Sequence, residues 1–233
     1  MKCRNPECPF SARSTGNGGS KAFESNCLVS DSVKEVSFSK GEFMFCQDQR
    51  SCCVYVLTEG VAKILSVTPD GREQIVGFAN PHKLMVGLQS LSNDNYADSA
   101  VAETDIMACK IRKRALLTAV TCDPRVALRL IDAINAQLAM SRALIRAVEH
   151  QGAAAKIAAF LLLLLPDEQH SNNRHVLPVS RSEIANILGL SEETVCRQMA
   201  NLKRQDVLYA PRGSIEIHDW GRLREIAAER HAH

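Results

Sequence analysis

Two groups of residues in this 233-residue chain have types and spacing that could do chemistry. The first is cysteine. The chain holds nine, and Cys3, Cys8 and Cys27 fall in a largely polar, Gly/Ser-rich arm, residues 1–31, with little to bury. Thiolates are soft donors, so cysteines placed there point to metal ligation or redox chemistry rather than packing. Cys8 precedes Pro9, a dipeptide found in cluster-binding motifs and at haem thiolates. Cys46, Cys52, Cys53 and Cys122 lie in apolar or mixed runs and read as buried small hydrophobes. Cys52-Cys53 makes a poor ligand pair, because neighbouring side chains in a strand point to opposite faces. The second group is Glu193, Cys196 and Arg197, which share one face of a helix with Ala200. Arg197 can donate two hydrogen bonds to guanine, and Glu193 can accept from the cytosine amino group. Lys203 and Arg204 at the far end suit phosphates. The same Glu193–Arg197 spacing also suits an ion pair on any exposed helix.

The local sequence dictates the element that carries this second group. Ser180-Arg181-Ser182-Glu183 is a capping box, in which serine and glutamate satisfy each other's free amides. A short helix follows, with Ile184, Ile187 and Leu188 apolar, and Gly189 lets the chain turn. Ser191 caps a second helix whose Glu192 and Glu193 suit its positive end. Val195, Met199 and Leu202 form its buried stripe. Two short helices across a glycine turn make a helix-turn-helix, with the second helix in the major groove. Asp206–Ile217 reads as a small β-hairpin turning at Arg212-Gly213: a wing, with Arg212 placed to touch the DNA backbone. Ser180, Arg181, Ser191, Glu193, Thr194, Cys196, Arg197, Lys203, Arg204 and Arg212 are the candidate DNA-binding residues.

The remaining elements present this one. Residues 32–111 read as β, with runs such as Val33–Phe38, Cys53–Leu57, Val61–Val67 and Gln74–Phe78 separated by turns. Pro69-Asp70-Gly71 is a strong hairpin turn. Asp123-Pro124 opens a long helix as cap and first residue. Along it Ile131, Ile134, Leu138, Ser141, Ile145 and Val148 are spaced alternately by three and four, a seam for a second helix. The alternative is a helix packed on its own domain. Gly152 breaks the pattern, Ala153–Leu165 is an apolar, buried helix, and Asp167–His175 is a polar connector. The expected fold is α+β: an arm over 1–31, a β-roll of the cupin-like double-stranded type over 32–122, a dimerisation helix over 123–150 and a winged helix-turn-helix over 151–233.

Composition bounds the class. Hydrophobic residues make up 45% and charged residues 23%, as in an ordinary globular protein. The net charge of +2 requires any nucleic-acid affinity to come from a local patch. The longest apolar run, Ile157–Leu165, is about half the ~20 residues that a membrane span needs. No apolar signal-peptide core stands in the first thirty residues, so a cytoplasmic location is expected. There is no nucleophile–base signature and no Gly-rich phosphate loop, and His82, His150 and His218 are isolated. The chain therefore does not read as an enzyme.

From about residue 27 to residue 220 the sequence resembles the CRP/FNR family of bacterial regulators. The most specific match is Gly189-Leu190-Ser191-Glu192-Glu193-Thr194-Val195-Cys196-Arg197. FNR-like members carry Glu, Ser and Arg in this helix; Glu193 and Arg197 match, and Cys196 stands where serine is usual. The resemblance implies a homodimer on a two-fold symmetric double-stranded DNA site, with RNA polymerase as partner. The family's cyclic-nucleotide binders grip phosphate with an arginine; here Gly87-Leu88-Gln89 and Ala97-Asp98-Ser99-Ala100 put Asp98 at that position, where it would repel phosphate. The segment Glu103–Ile111 resembles the one around the distant cluster ligand of FNR-like members, with Cys109 in register.

The resemblance thus implies an iron–sulfur cluster on Cys3, Cys8, Cys27 and Cys109, 4Fe-4S rather than 2Fe-2S, that senses oxygen, nitric oxide or redox state. The arm departs from FNR-like spacing, since eighteen residues separate Cys8 from Cys27. A longer loop costs only about 0.6 kcal/mol per doubling. The same thiolates would equally make a structural zinc site or a metal-free thiol/disulfide switch. At what aligns as Ser141, FNR-like members carry an aspartate whose charge opposes dimerisation. The uncharged serine implies readier dimerisation without cofactor.

Overall fold

The computed structural model describes residues 33–81, 85–150, 152–165 and 174–228. Cys3, Cys8, Cys27 and His82 lie outside the described residues. The chain divides into two compact units, one ending at Leu138 and the other beginning at Ala139.

The first unit contains strands β1 (Val33–Phe38), β2 (Phe43–Phe45), β3 (Cys53–Glu59), β4 (Ala62–Val67), β5 (Glu73–Ala79), β6 (Met85–Val86), β7 (Ser99–Ala102) and β8 (Ile106–Arg112). They form two antiparallel sheets, in the orders β1-β8-β3-β6 and β2-β7-β4-β5. Alternation sends Phe45, Tyr55, Leu57, Ala100, Ile106 and Ala108 into one buried cluster. The β4–β5 hairpin closes where Pro69-Asp70-Gly71 demands it: the Thr68 amide donates to the Arg72 carbonyl at 2.9 Å, and Gly71 takes a φ of +80°. Gly60 is fixed by a closer approach. Its φ is +82°, and a Cβ there would stand 2.2 Å from the Asp105 carbonyl oxygen.

Helices α1 (Lys113–Cys122) and α2 (Pro124–Glu149) follow. Asp123 accepts from the Arg125 amide at 2.9 Å, and its carboxyl is held below the usual range by hydrogen bonds from Arg125. The 26 residues of α2 make a rod about 39 Å long. Val126, Leu130 and Ala133 pack on Val54, Val56, Met85, Ile111 and Leu116, on the second face of the β1-β8-β3-β6 sheet. Ile131, Ile134, Leu138 and Ile145 stay 45–58% exposed. The helix thus carries an inward stripe that sequence spacing did not separate from the outward one. Ser141 is exposed and Val148 half-buried.

The second unit holds α3 (Ala153–Leu164), β9 (Arg174–Val176), α4 (Arg181–Leu188), α5 (Glu192–Arg204), β10 (Leu208–Tyr209), β11 (Ser214–Ile217) and α6 (Trp220–Ala228). Helix α3 packs on α4, α5 and α6.

Several expectations need correction. The end of the supposed polar connector is β9, which pairs with β11 to give a three-stranded wing of order β10-β11-β9. Helices α1 and α6 carried no expectation. Of the four cysteines read as buried, only Cys53 is; Cys46, Cys52 and Cys122 are exposed. Cys46 and Cys52 stand just outside β2 and β3, and Cys122 ends α1, so none occupies an inward position within an element. Burial and a hydrogen bond with Cys52 push the Cys53 thiol up to about 11, which leaves it protonated near neutrality. No helix among the described residues is long and apolar enough to cross a membrane.

Candidate nucleic-acid interface and sensor strand

The capping box forms as the sequence requires. The Glu183 amide donates to Ser180 Oγ at 3.1 Å, and the Ser180 amide donates to Glu183 Oε2 at 2.8 Å. Gly189 then takes the left-handed conformation, φ +63°, that turns the chain. Ser191 caps α5 by accepting from the Thr194 amide at 3.2 Å, and its hydroxyl also shares a hydrogen bond with Thr194 Oγ1 at 2.8 Å. The hydroxyls of Ser180, Ser191 and Thr194 are therefore engaged in holding the two helices. Val195, Met199 and Leu202 are buried beneath α5.

What α5 presents outward is Glu193, Cys196, Arg197 and Ala200, all exposed. The Arg197 and Glu193 side chains are 60% and 87% exposed and stand 4.0 Å apart, too loose and too solvated to be a structural tie. Both remain available to base edges. Lys203 is exposed, with its Nζ 4.6 Å from the centre of the Tyr209 ring, so the wing orients it. Arg204 hydrogen-bonds Asn201, and Arg212 is exposed beside Gly213 at the wing tip.

Arg181 is half-buried and donates through Nη2 to the Ala210 carbonyl at 2.9 Å, tying α4 to the wing. His218, which the sequence left isolated, bonds Asp206 through Nδ1 at 2.7 Å and so clamps the two ends of the wing. Neither link is legible from spacing, because each joins residues brought together only by the wing.

In the first unit Cys109 lies on β8, the second strand of its sheet, half-buried. Its register partners are Glu35 on β1 and Val56 on β3. It belongs to the sheet face that packs on α2, among Val33, Leu91 and Val120. Strand β1, into which residues 1–32 run, is therefore its immediate neighbour. Among the described residues no three His, Cys, Asp or Glu groups converge on a metal position. At the locus where cyclic-nucleotide binders place an arginine, Asp98 is half-buried, and Ser99 Oγ already accepts from the Gln47 amide at 2.8 Å. The Asp98 carboxylate opposes a phosphate there.

A double-sheet roll, a long helix and a winged helix-turn-helix with an outward reading face define a DNA-binding transcription regulator rather than an enzyme. Residues 155–226 match the family described as the Crp-like helix-turn-helix domain, and residues 35–121 match the cyclic nucleotide-binding domain. The chain is 30% identical over 198 residues to the nitrogen fixation regulation protein FixK of Bradyrhizobium diazoefficiens, covering 84% of this chain and 82% of that one. It is 30% identical over 183 residues to the transcriptional activator FnrA of Stutzerimonas stutzeri, covering 77% and 75%. The solved structure of FixK2 from Bradyrhizobium japonicum superposes with a TM-score of 0.72 at 26% identity, over 84% of this chain and 98% of that one. The chain belongs to the CRP/FNR family of transcription regulators.

Proposed function

We propose that this regulator binds a two-fold symmetric DNA site as a homodimer and senses oxygen, nitric oxide or redox state through an iron–sulfur cluster on Cys3, Cys8, Cys27 and Cys109. RNA polymerase is its expected partner at promoters. The observation that carries the sensor reading is the place of Cys109: a half-buried thiol one strand in from β1, which continues directly from the arm.

The donor set fits. Four thiolates are the usual complement of such a cluster. Five residues separate Cys27 from Val33, a tether that can reach about 20 Å when extended. Val33 pairs with Ile111, two positions from Cys109. When bound, the cluster supplies a gas- and redox-labile tie between the arm and β8. Cys109 anchors that tie on the face where Val126, Leu130 and Ala133 bed α2. Ordering the arm there favours one setting of α2 over another, and a difference in binding energy between the two settings is all a switch needs. Exposure of Ile131, Ile134, Leu138 and Ile145 supports dimerisation through α2. The recognition helices of a dimer would enter successive major grooves, about 34 Å apart.

The test is the visible spectrum and the iron, sulfide and zinc content of protein purified without oxygen. Brown protein with iron and sulfide that bleaches in air, and that loses both in a Cys109→Ala variant, is the expected result. One zinc and no colour makes the site structural, and no metal leaves a thiol switch; either result overturns the cluster.

A further inference from the structure

We propose that the first unit carries a second, separate ligand site: a basic cavity for a small molecule bearing two or more phosphoryl groups. The cavity, about 950 Å³, lies where β1, β3 and β8 meet the start of α1. Lys34, Arg50, Lys110, Arg112, Lys113 and Arg114 line it, and no carboxylate does. None of these six makes an ion pair among the described residues.

This concentration is local. The whole chain carries 28 lysines and arginines against 26 acids, yet six cations without an ion pair among the described residues gather in one hollow. Like charges on concave, low-dielectric walls focus their field into the cavity. The arrangement is favourable only to an anion that several of them share. Two of the cations are held in place: Lys113 Nζ donates to the Asn93 carbonyl at 2.7 Å, and Lys110 Nζ stands 5.8 Å from the Tyr55 ring centre. Helix α1 begins here with no side chain capping its first turn, which adds a partial positive charge of the same sense.

The chemistry selects the ligand class. Guanidinium forks pair bidentately with phosphoryl oxygens, and lysines act as point charges beside them. Six cations exceed what a monoanion or a dicarboxylate balances. The volume is that of a small-molecule pocket, and Val33, Val36 and Leu117 give it an apolar wall for the rest of the ligand. A duplex or an acidic protein would bind a convex or flat basic stripe instead. The site is distinct from the Asp98–Ser99 locus, which contributes nothing to the lining, and it does not depend on the cluster.

Isothermal titration of the full chain with sodium tripolyphosphate, at constant ionic strength, tests the site. One equivalent per chain is expected, with affinity at least tenfold above inorganic phosphate. Arg50→Gln with Arg112→Gln, and separately Lys34→Gln with Arg114→Gln, should each weaken it at least tenfold with unchanged thermal unfolding, whereas Arg72→Gln should not. ATP binding tighter than tripolyphosphate would identify a nucleotide, and equal binding would identify the phosphate chain alone; both support the site. Absence of saturable binding, equal loss in Arg72→Gln, tighter binding of an oligoglutamate, or displacement by a random-sequence duplex would overturn it.

Discussion

Arg181 Nη2 and the Ala210 carbonyl oxygen, 2.9 Å apart, join the first helix of the helix-turn-helix to the wing. This bond gives a residue at the start of α4 a mechanical role in addition to any contact with phosphate. Arg181→Met keeps the apolar stem but leaves a half-buried carbonyl unpaired, at a cost of about 1–3 kcal/mol. Hydrogen exchange at residues 207–217 should accelerate and DNA affinity should drop severalfold. Unchanged exchange with reduced affinity would assign Arg181 to phosphate contact alone.

The outward face of α5 predicts two distinguishable kinds of loss. Arg197→Ala should cost about 1–3 kcal/mol of specific binding and relax the preference at one base pair per half-site. Lys203→Ala should weaken specific and random DNA alike and lower the salt slope by about one. Titrations at several salt concentrations on matched and single-substituted duplexes separate the two. A uniform loss across sequences for Arg197→Ala would remove it from base reading.

Sedimentation velocity tests the exposed seam of α2. Ile134→Glu or Ile145→Glu should leave the fold intact, since both side chains are more than half exposed, yet yield monomer at micromolar concentration. Ser141→Asp should weaken the cofactor-free dimer by like-charge repulsion across the seam, with less effect at high salt. A cofactor-free wild type that is wholly monomeric at micromolar concentration would sink the role given to Ser141.

Gly60 permits a stability prediction. At φ +82° with the Asp105 carbonyl 2.2 Å from a built Cβ, Gly60→Ala combines left-handed strain with a backbone clash. A loss of roughly 2–4 kcal/mol is expected in urea unfolding. Gly71→Ala, whose Cβ meets nothing within 4 Å, should cost only the strain, roughly 1–2 kcal/mol.

The sequence revealed the parts of this molecule that rest on local chemistry. The capping box at Ser180–Glu183, the Gly189 turn, the buried stripe of α5 and the Pro69-Asp70-Gly71 hairpin each follow from neighbouring residues. What escaped depends on partners distant in sequence. Strand β9 is three residues long and exists because β11 accepts it. Helix α1 has no side-chain cap and buries only Leu116 fully, so its weak pattern disappears beside the strands before it. Helix α6 did leave a signal: Asp219 accepts from the Arg222 amide at 2.8 Å, and Leu223 and Ile226 are buried three apart. The candidate reading face was nearly complete, because exposure along α5 follows helical period. The basic cavity was invisible, because its lining comes from β1, the approach to β3, β8 and α1, which only the fold brings together.

The two apolar stripes of α2 lie on neighbouring faces of one helix. Leu130 beds on the roll while Ile131, the next residue and about 100° around the axis, faces outward. A turn of the rod in its bed is therefore a turn of its outer surface by the same angle. A shift of the sheet face beneath Leu130 would therefore reach Ile131, Ile134 and Leu138 as a change of angle, with the same side chains still outward.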